Sequence, residues 1–95
     1  MSFDPAIEGF CAWMRVERAL SPHTVSAYHS DLVRMAAWMD SQGVHGPEDV
    51  RHAHLAAYVH ALVEDGLDLR SVARHRSAFR QLFKFLLREG ILRDN

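Results

Sequence analysis

The chain has 95 residues, 48% hydrophobic and 24% charged, a size and composition that predict one folded domain and exclude a disordered chain. Its formal net charge is −1, so the overall charge gives no sign of a nucleic-acid partner. A domain this short holds a single core and leaves little room for an enclosed active site.

The cysteine content and the N-terminal residues bear on the compartment. Cys11 is the only cysteine, so no disulfide can form within the chain, and this favours a reducing compartment. Residues 1–5 have neither the basic region nor the apolar core of a signal peptide, and no apolar run approaches the roughly 20 residues that span a bilayer. We therefore expect a cytoplasmic protein without a membrane partner.

A first helix is predicted from Asp4, with Pro5 at the first helical position, where its missing N–H is harmless. This helix is expected to end at residues 18–20. Its apolar positions recur every three or four residues and are Ile7, Phe10, Cys11, Trp13 and Met14.

A second, longer helix is predicted to begin with the capping residue Ser21 and Pro22 and to run to about Ser41, before Gly43. Its apolar side carries Val25, Tyr28, Leu32, Met35, Trp38 and Met39. Its opposite side carries His23, Ser26, His29, Ser30 and Arg34.

Two more helices are predicted in the second half of the chain. Residues 46–49 form a start signal or a short turn, a third helix follows at residues 51–64, and Gly66 ends it. A fourth helix starts at residues 69–71 and runs to Glu89, before Gly90. The buried candidates are Leu55, Tyr58, Val59 and Leu62 on the third helix and Val72, Phe79, Leu82, Phe83 and Leu86 on the fourth.

The predicted architecture is therefore all-α, with four helices joined by short turns. Residues 1–90 form the helical domain. Residues 91–95 show no apolar period and are interpreted as the start of a linker.

Seven histidines raise the question of a metal site. His52, His54 and His60 lie on one segment, but their spacings do not bring three ligands together on one helix face. The sequence therefore predicts no metal site, and the histidines are interpreted as solvated surface residues.

Nucleophilic catalysis is not indicated either. Cys11 falls on an apolar stripe, where a buried and inert thiol is expected. Ser21 and Ser71 are explained as helix caps, and Tyr28 and Tyr58 lie among apolar neighbours as core residues. The chain has no glycine-rich phosphate loop. We expect no catalytic residue, cofactor or small-molecule substrate, so the isolated chain is not predicted to be an enzyme.

The fourth helix has an uneven charge. Between residues 70 and 88 it carries six basic residues and no acidic one. They are Arg70, Arg74, Arg76, Arg80, Lys84 and Arg88, of which the last four repeat at intervals of four. Such a row can follow a phosphate backbone, or it can simply be a solvated face that keeps the protein soluble. Charge alone leaves both interpretations open.

Two stretches resemble the core-binding domain of Xer tyrosine recombinases and related phage integrases. Residues 16–32 contain Leu-Ser, Thr, Tyr and Asp-Leu at the intervals with which that domain opens. Residues 70–86 are similar to its last helix, and residues 89–95 to the segment that leads into the catalytic domain. The resemblance covers nearly the whole chain, with the stretches in the right order and separation.

The resemblance implies a SAM-like four-helix domain that forms half of a clamp around duplex DNA, with its second and fourth helices facing the DNA. The matching outward positions are His23, Ser26, His29, Ser30 and Arg34 on the second helix and Arg70, Ser71, Arg74, Arg76, Ser77, Arg80 and Lys84 on the fourth. It further implies partner recombinase protomers and a role in chromosome dimer resolution or DNA integration.

The chain departs from the family pattern at two points. His29 and Ser30 stand where relatives often carry basic residues. The catalytic Arg, Lys, His and Tyr of the family belong to a domain that this chain does not contain, so Tyr28 and Tyr58 do not inherit the nucleophile's role.

A helical protein-interaction module whose basic face meets an acidic partner is the alternative. Phe85 lies off the main apolar stripe and is the best candidate for a contact outside the domain. It could equally pack against the first helix or against the missing catalytic domain.

Overall fold

The computed structural model describes residues 2–93, and this part of the chain contains four α-helices, one 3₁₀ turn and no strand. The helices are α1 (Phe3–Val16), α2 (Pro22–Ser41), α3 (His52–Glu64) and α4 (Leu69–Arg88), and the 3₁₀ turn (Pro47–Asp49) lies between α2 and α3. The predicted all-α, four-helix architecture is confirmed.

The start of α1 differs from the prediction by one residue. The helix begins at Phe3 rather than at Asp4, because the Phe3 side chain is buried in the core and holds the first turn there. It ends at Val16, earlier than predicted, and the chain then turns through Ala19 with a left-handed φ of +51°.

The predicted start of α4 is confirmed at Leu69, but the capping residue differs from the prediction. Asp68, and not Ser71, caps this helix: its carboxylate accepts a hydrogen bond of 2.8 Å from the Ser71 N–H. Hydrogen bonding by the backbone and the side chain of Ser71 lowers the pKa of Asp68. An aspartate carboxylate caps at least as well as a serine hydroxyl, so Asp68 is the cap and Leu69 is the first helical residue. The predicted cap at Ser21 is confirmed, because its hydroxyl accepts from the Thr24 N–H.

Three helices end at the predicted glycines. At the end of α4, the Gly90 N–H donates to the Leu87 carbonyl and the Ile91 N–H to the Leu86 carbonyl. This pair of bonds is a Schellman motif, and it requires the left-handed φ of +74° that Gly90 adopts. Gly43 and Gly66 end α2 and α3 with the same bonding pattern.

Helices α2 and α4 form the centre of the fold, since each of them packs against all three of the other helices. The fully buried side chains lie between them and their neighbours. They include Phe10, Met14, Leu32, Met35, Met39, Tyr58, Leu62, Leu82 and Leu86. Cys11 is buried as predicted, and burial raises the pKa of its thiol.

Some predicted core residues are only half-buried. Trp13, Trp38, Leu55, Val59, Phe83 and Tyr28 pack against the edge of the core. Phe85, in contrast, is buried. The centroid of its ring lies 5.6 Å from that of Phe10 and 5.3 Å from that of Trp13. It packs against α1, because that helix covers the side of α4 that the apolar stripe alone would leave open.

The segment after α4 is described as far as Arg93. The Leu92 N–H donates to the Leu86 carbonyl, and its side chain packs against the core. Asp94 and Asn95, the last residues of the predicted linker, lie outside the described residues. None of the described helices is both long enough and apolar enough to cross a membrane.

Candidate nucleic-acid interface

The contact between α2 and α4 is polar at its solvent edge, and we call it the seam. It is formed by Tyr28 and Asp31 of α2 and by Arg74, Ser77 and Gln81 of α4. Two sets of hydrogen bonds make up the seam.

The first set is a two-bond ion pair. Arg74 donates from Nε to Asp31 Oδ2 at 2.7 Å and from Nη2 to Asp31 Oδ1 at 2.9 Å. The Asp31 side chain is only 4% exposed, whereas that of Arg74 is 46% exposed. The hydrogen bonds and charge of Asp31 raise the pKa of the Arg74 guanidinium.

The same carboxylate also contacts a buried histidine, His75, so the interpretation of the histidines as solvated surface residues is wrong for this one. His75 Nε2 lies 3.3 Å from Asp31 Oδ1, and His75 Nδ1 lies 3.1 Å from the hydroxyl of Tyr58 on α3. In the neutral form Nδ1 accepts a hydrogen bond from the Tyr58 hydroxyl, and the Nε2 N–H lies beside the Asp31 carboxylate. Burial lowers the pKa of His75 and raises that of Tyr58. These contacts tie α2, α3 and α4 together.

The second set of bonds centres on Gln81. Its Nε2 donates to the Tyr28 hydroxyl at 3.2 Å and to Ser77 Oγ at 2.9 Å, while its Oε1 accepts from Arg18 Nη1 at 2.9 Å. The two sets lie almost two helical turns apart on α4. Together they fix the rotation of α4 about its axis, and so determine which residues face solvent.

Three exposed cations stand on the solvent side of α4, on successive turns: Arg76, Arg80 and Lys84, which we call the basic ridge. The side chains of the three form no ion pair or hydrogen bond with any other residue of 2–93. At a rise of about 1.5 Å per residue, the ridge extends over about 12 Å. It is therefore an electrostatically unneutralised row.

Arg88 does not continue the predicted row. Its guanidinium carbon lies 4.3 Å from the ring centroid of Trp13, and its Nε is 3.8 Å from the Glu89 carboxylate. The row of four expected from the spacing is thus a row of three, because the last cation is directed toward α1.

The predicted positions on α2 fall into two groups. His23, Ser26 and Ser30 are exposed. His29 instead pairs with Glu8 of α1 at 3.0 Å, and Arg34 with Asp65 at the end of α3 at 3.0 Å.

The remaining predicted positions lie on α4. Arg70 is exposed in the first turn, Ser71 is half-buried, and Arg74 and Ser77 belong to the seam. Spacing could not separate these engaged residues from the free ones, because their partners lie on other helices. Within residues 2–93, no three His, Cys, Asp or Glu side chains come close enough to hold a metal ion.

Asp31 and Gln81 are structural elements of this face that were not predicted from the sequence. A signal was present for Asp31: it lies three residues after Tyr28 and four before Met35, on the side of α2 that faces the core. An acid at such a position needs a partner when it is buried. The sequence does not indicate which of the cations on α4 is that partner.

His75 makes the stability of the domain depend on pH. Its folded pKa lies below the ordinary value of 6.5, so the folded state binds fewer protons than the unfolded state. The stabilising contribution is therefore present above about pH 6.5 and is lost as the pH falls through the folded pKa. We predict that urea unfolding at pH 7.5 and 5.5 shows a larger loss of stability for the wild type than for His75→Gln. Identical losses would contradict this role for His75.

The comparisons with known proteins identify the family. The sequence profile described as "Phage integrase, N-terminal SAM-like domain" matches residues 7–90. The chain belongs to this family, as the resemblance in the sequence predicted.

Among similar curated proteins is the tyrosine recombinase XerC of Pseudomonas syringae pv. syringae (strain B728a), 36% identical over 88 residues, which are 93% of this chain and 29% of that protein. The tyrosine recombinases XerC of Pseudomonas fluorescens and of Xanthomonas campestris pv. campestris (strain B100) are each 35% identical over 85 residues, 90% of this chain and 28% and 26% of theirs. The chain thus spans less than a third of the length of these relatives. No solved structure gave a significant match.

Proposed function

We propose that this chain is the DNA-binding domain of a site-specific tyrosine recombinase. It grips duplex DNA while a separate catalytic domain of the recombinase cuts and rejoins the strands, in chromosome dimer resolution or DNA integration. Residues 1–90 form the gripping domain and residues 91–95 begin the linker. The family match and the similarity to proteins named tyrosine recombinase XerC support this proposal.

The basic ridge is the observation that carries the proposal. Arg76, Arg80 and Lys84 are exposed, follow one another at intervals of four, and have no carboxylate partner among residues 2–93. Cations in such a row neutralise successive phosphates and release their counterions, which supplies most of the affinity of a DNA-binding surface. The exposed groups of α2, His23, Ser26 and Ser30, add uncharged hydrogen-bonding contacts to phosphates or bases.

The alternative of a protein-interaction module has lost the observation that favoured it. Phe85 packs against α1 and offers no apolar contact outside the domain. Along the ridge the exposed side of α4 carries cations and Ala73, and its one large exposed apolar side chain among the described residues is Leu69, at the first residue of the helix.

A salt titration tests the proposal. The chain is titrated into a fluorescent duplex of about 25 base pairs, and anisotropy is followed at 50 and 200 mM salt. Three phosphate contacts predict a logarithmic slope of about −2.7, which lowers the affinity roughly 40-fold over this interval. Polyglutamate is the competitor that represents an acidic partner. A slope near zero, or tighter binding of the chain to labelled polyglutamate than to DNA, would support the interaction module instead.

A further inference from the structure

The guanidinium of Arg74 has one edge occupied and one edge free. Asp31 takes the side edge, formed by Nε and Nη2. A guanidinium has five N–H donors in a planar fork. Nη1 has no partner among residues 2–93, and the side chain is 46% exposed. The outer end, with donors on both Nη1 and Nη2, therefore remains available to a ligand.

The free end is held rigidly. Asp31 is 4% exposed and lies 3.3 Å from the Nε2 of His75, which Tyr58 of α3 holds through a hydrogen bond. Three helices thus fix the plane of the Arg74 guanidinium before any ligand arrives. A free arginine has to lose its rotamer entropy on binding, whereas this one has already lost most of it in the fold.

The pair as a whole carries no net charge, because the Asp31 carboxylate offsets the guanidinium. It is a weak anchor for a phosphate, in contrast to the basic ridge. The major-groove edge of guanine is uncharged and presents two acceptors, O6 and N7, which match a two-donor fork. The chemistry of the pair therefore favours a guanine over a phosphate.

The position of Arg74 agrees with this chemistry. It is the sixth residue of α4, and helices that enter the major groove contact bases through their N-terminal part. Arg80, the middle of the ridge, lies six residues later and so about 120° around the helix. One side of α4 can thus face base edges while the other follows a phosphate backbone.

We infer that Arg74 reads a single guanine in the major groove, that Arg76, Arg80 and Lys84 bind phosphates, and that Asp31 is the positioning residue that aims Arg74. This inference rests on the proposed function. It assigns sequence preference to one cation of α4 and affinity to three others.

The experiment compares two charge-preserving variants. Duplexes with a randomised core are selected for binding by the wild type, Arg74→Lys and Arg80→Lys, and the enriched pools are sequenced. Lysine keeps the charge but lacks the fork, so Arg74→Lys should lose the preference for guanine at one position by about 10- to 100-fold. Arg80→Lys should retain that preference. Replacing the selected guanine by 7-deazaguanine, which lacks N7, should weaken the wild type and leave Arg74→Lys unchanged.

The variant Asp31→Asn distinguishes a role of Asp31 in orienting Arg74 from a role in stabilising the fold. It keeps Arg74 and adds a net positive charge, so we expect tighter binding to unselected duplex together with a weaker guanine preference. A merely structural role for Asp31 would lower both quantities. Circular dichroism and thermal melting establish that each variant is folded at the assay temperature.

The outcomes distinguish this inference from the proposed function. If the wild type binds no duplex, the proposed function falls and the inference with it. If the wild type binds but no guanine is enriched, or Arg74→Lys keeps the preference, the inference alone is overturned. It is equally overturned if Arg74→Lys weakens binding to all sequences alike, because that is the behaviour of a phosphate contact.

Discussion

Replacing Arg76, Arg80 and Lys84 together by alanine is expected to lower the affinity for duplex DNA at least about 100-fold and to reduce the salt dependence almost to zero. The three side chains are exposed and form no ion pair or hydrogen bond with another described residue, so their removal leaves the core and the seam intact. Fluorescence anisotropy at two salt concentrations measures both effects. The melting temperature should stay within a few degrees of the wild type, as is usual for surface substitutions.

The matched control removes the same charge from elsewhere. Arg15, Arg51 and Arg93 are exposed on α1, before α3 and after α4. Their combined replacement by alanine should change the affinity only slightly. If this control triple weakens binding as much as the ridge triple does, then net charge and not the location of the ridge governs binding.

The second large effect concerns the stability of the domain when the ion pair of the seam is broken. Removing Arg74 is expected to cost more than neutralising Asp31. Arg74→Ala leaves the Asp31 carboxylate, 4% exposed, without its cation, and burial lowers the pKa of the neighbouring His75, which disfavours the charged form that could replace it. An uncompensated buried charge costs about 3 kcal/mol or more, which lowers the melting temperature of a domain this size by roughly 15 °C. Asp31→Asn leaves a half-exposed Arg74 that water can solvate, so we expect a loss of only about 1 kcal/mol.

Chemical denaturation of the two variants checks this order. Arg80→Ala is the control, since it removes an arginine of the same helix without a partner, and it should stay within about 0.5 kcal/mol of the wild type. A larger loss of stability for Asp31→Asn than for Arg74→Ala would contradict the idea that the buried carboxylate is the partner that cannot be left without its counter-charge.

The helices were predictable because local signals determine them. Ser21 with Pro22 starts α2, and Gly43, Gly66 and Gly90 end three helices where the pattern placed their ends. Where the prediction was wrong, a contact distant in sequence decided the outcome. Phe3 extends α1 by one residue, because its side chain reaches the core that the other helices build.

The candidate site was predictable only as a list of exposed residue types. Charge and spacing indicated α4, but they placed Arg80 and Arg88 in one row and indicated no partner for Arg74. Folding separates them: Arg74 binds Asp31 of α2, Arg88 lies over Trp13 of α1, and Arg80 remains free. Such differences depend on which helix lies beside each residue, and a periodicity within one helix does not contain that information.

An NMR titration tests the DNA-binding face most directly. Duplex DNA is added to the ¹⁵N-labelled chain, and amide shift changes are followed residue by residue. We predict that the largest changes fall on α4 from Arg70 to Lys84 and on the exposed side of α2 around Ser26 and Ser30. The outer side of α3, around Ala56 and His60, should hardly change. Largest shifts on α3, or none anywhere at saturating DNA, would contradict the account.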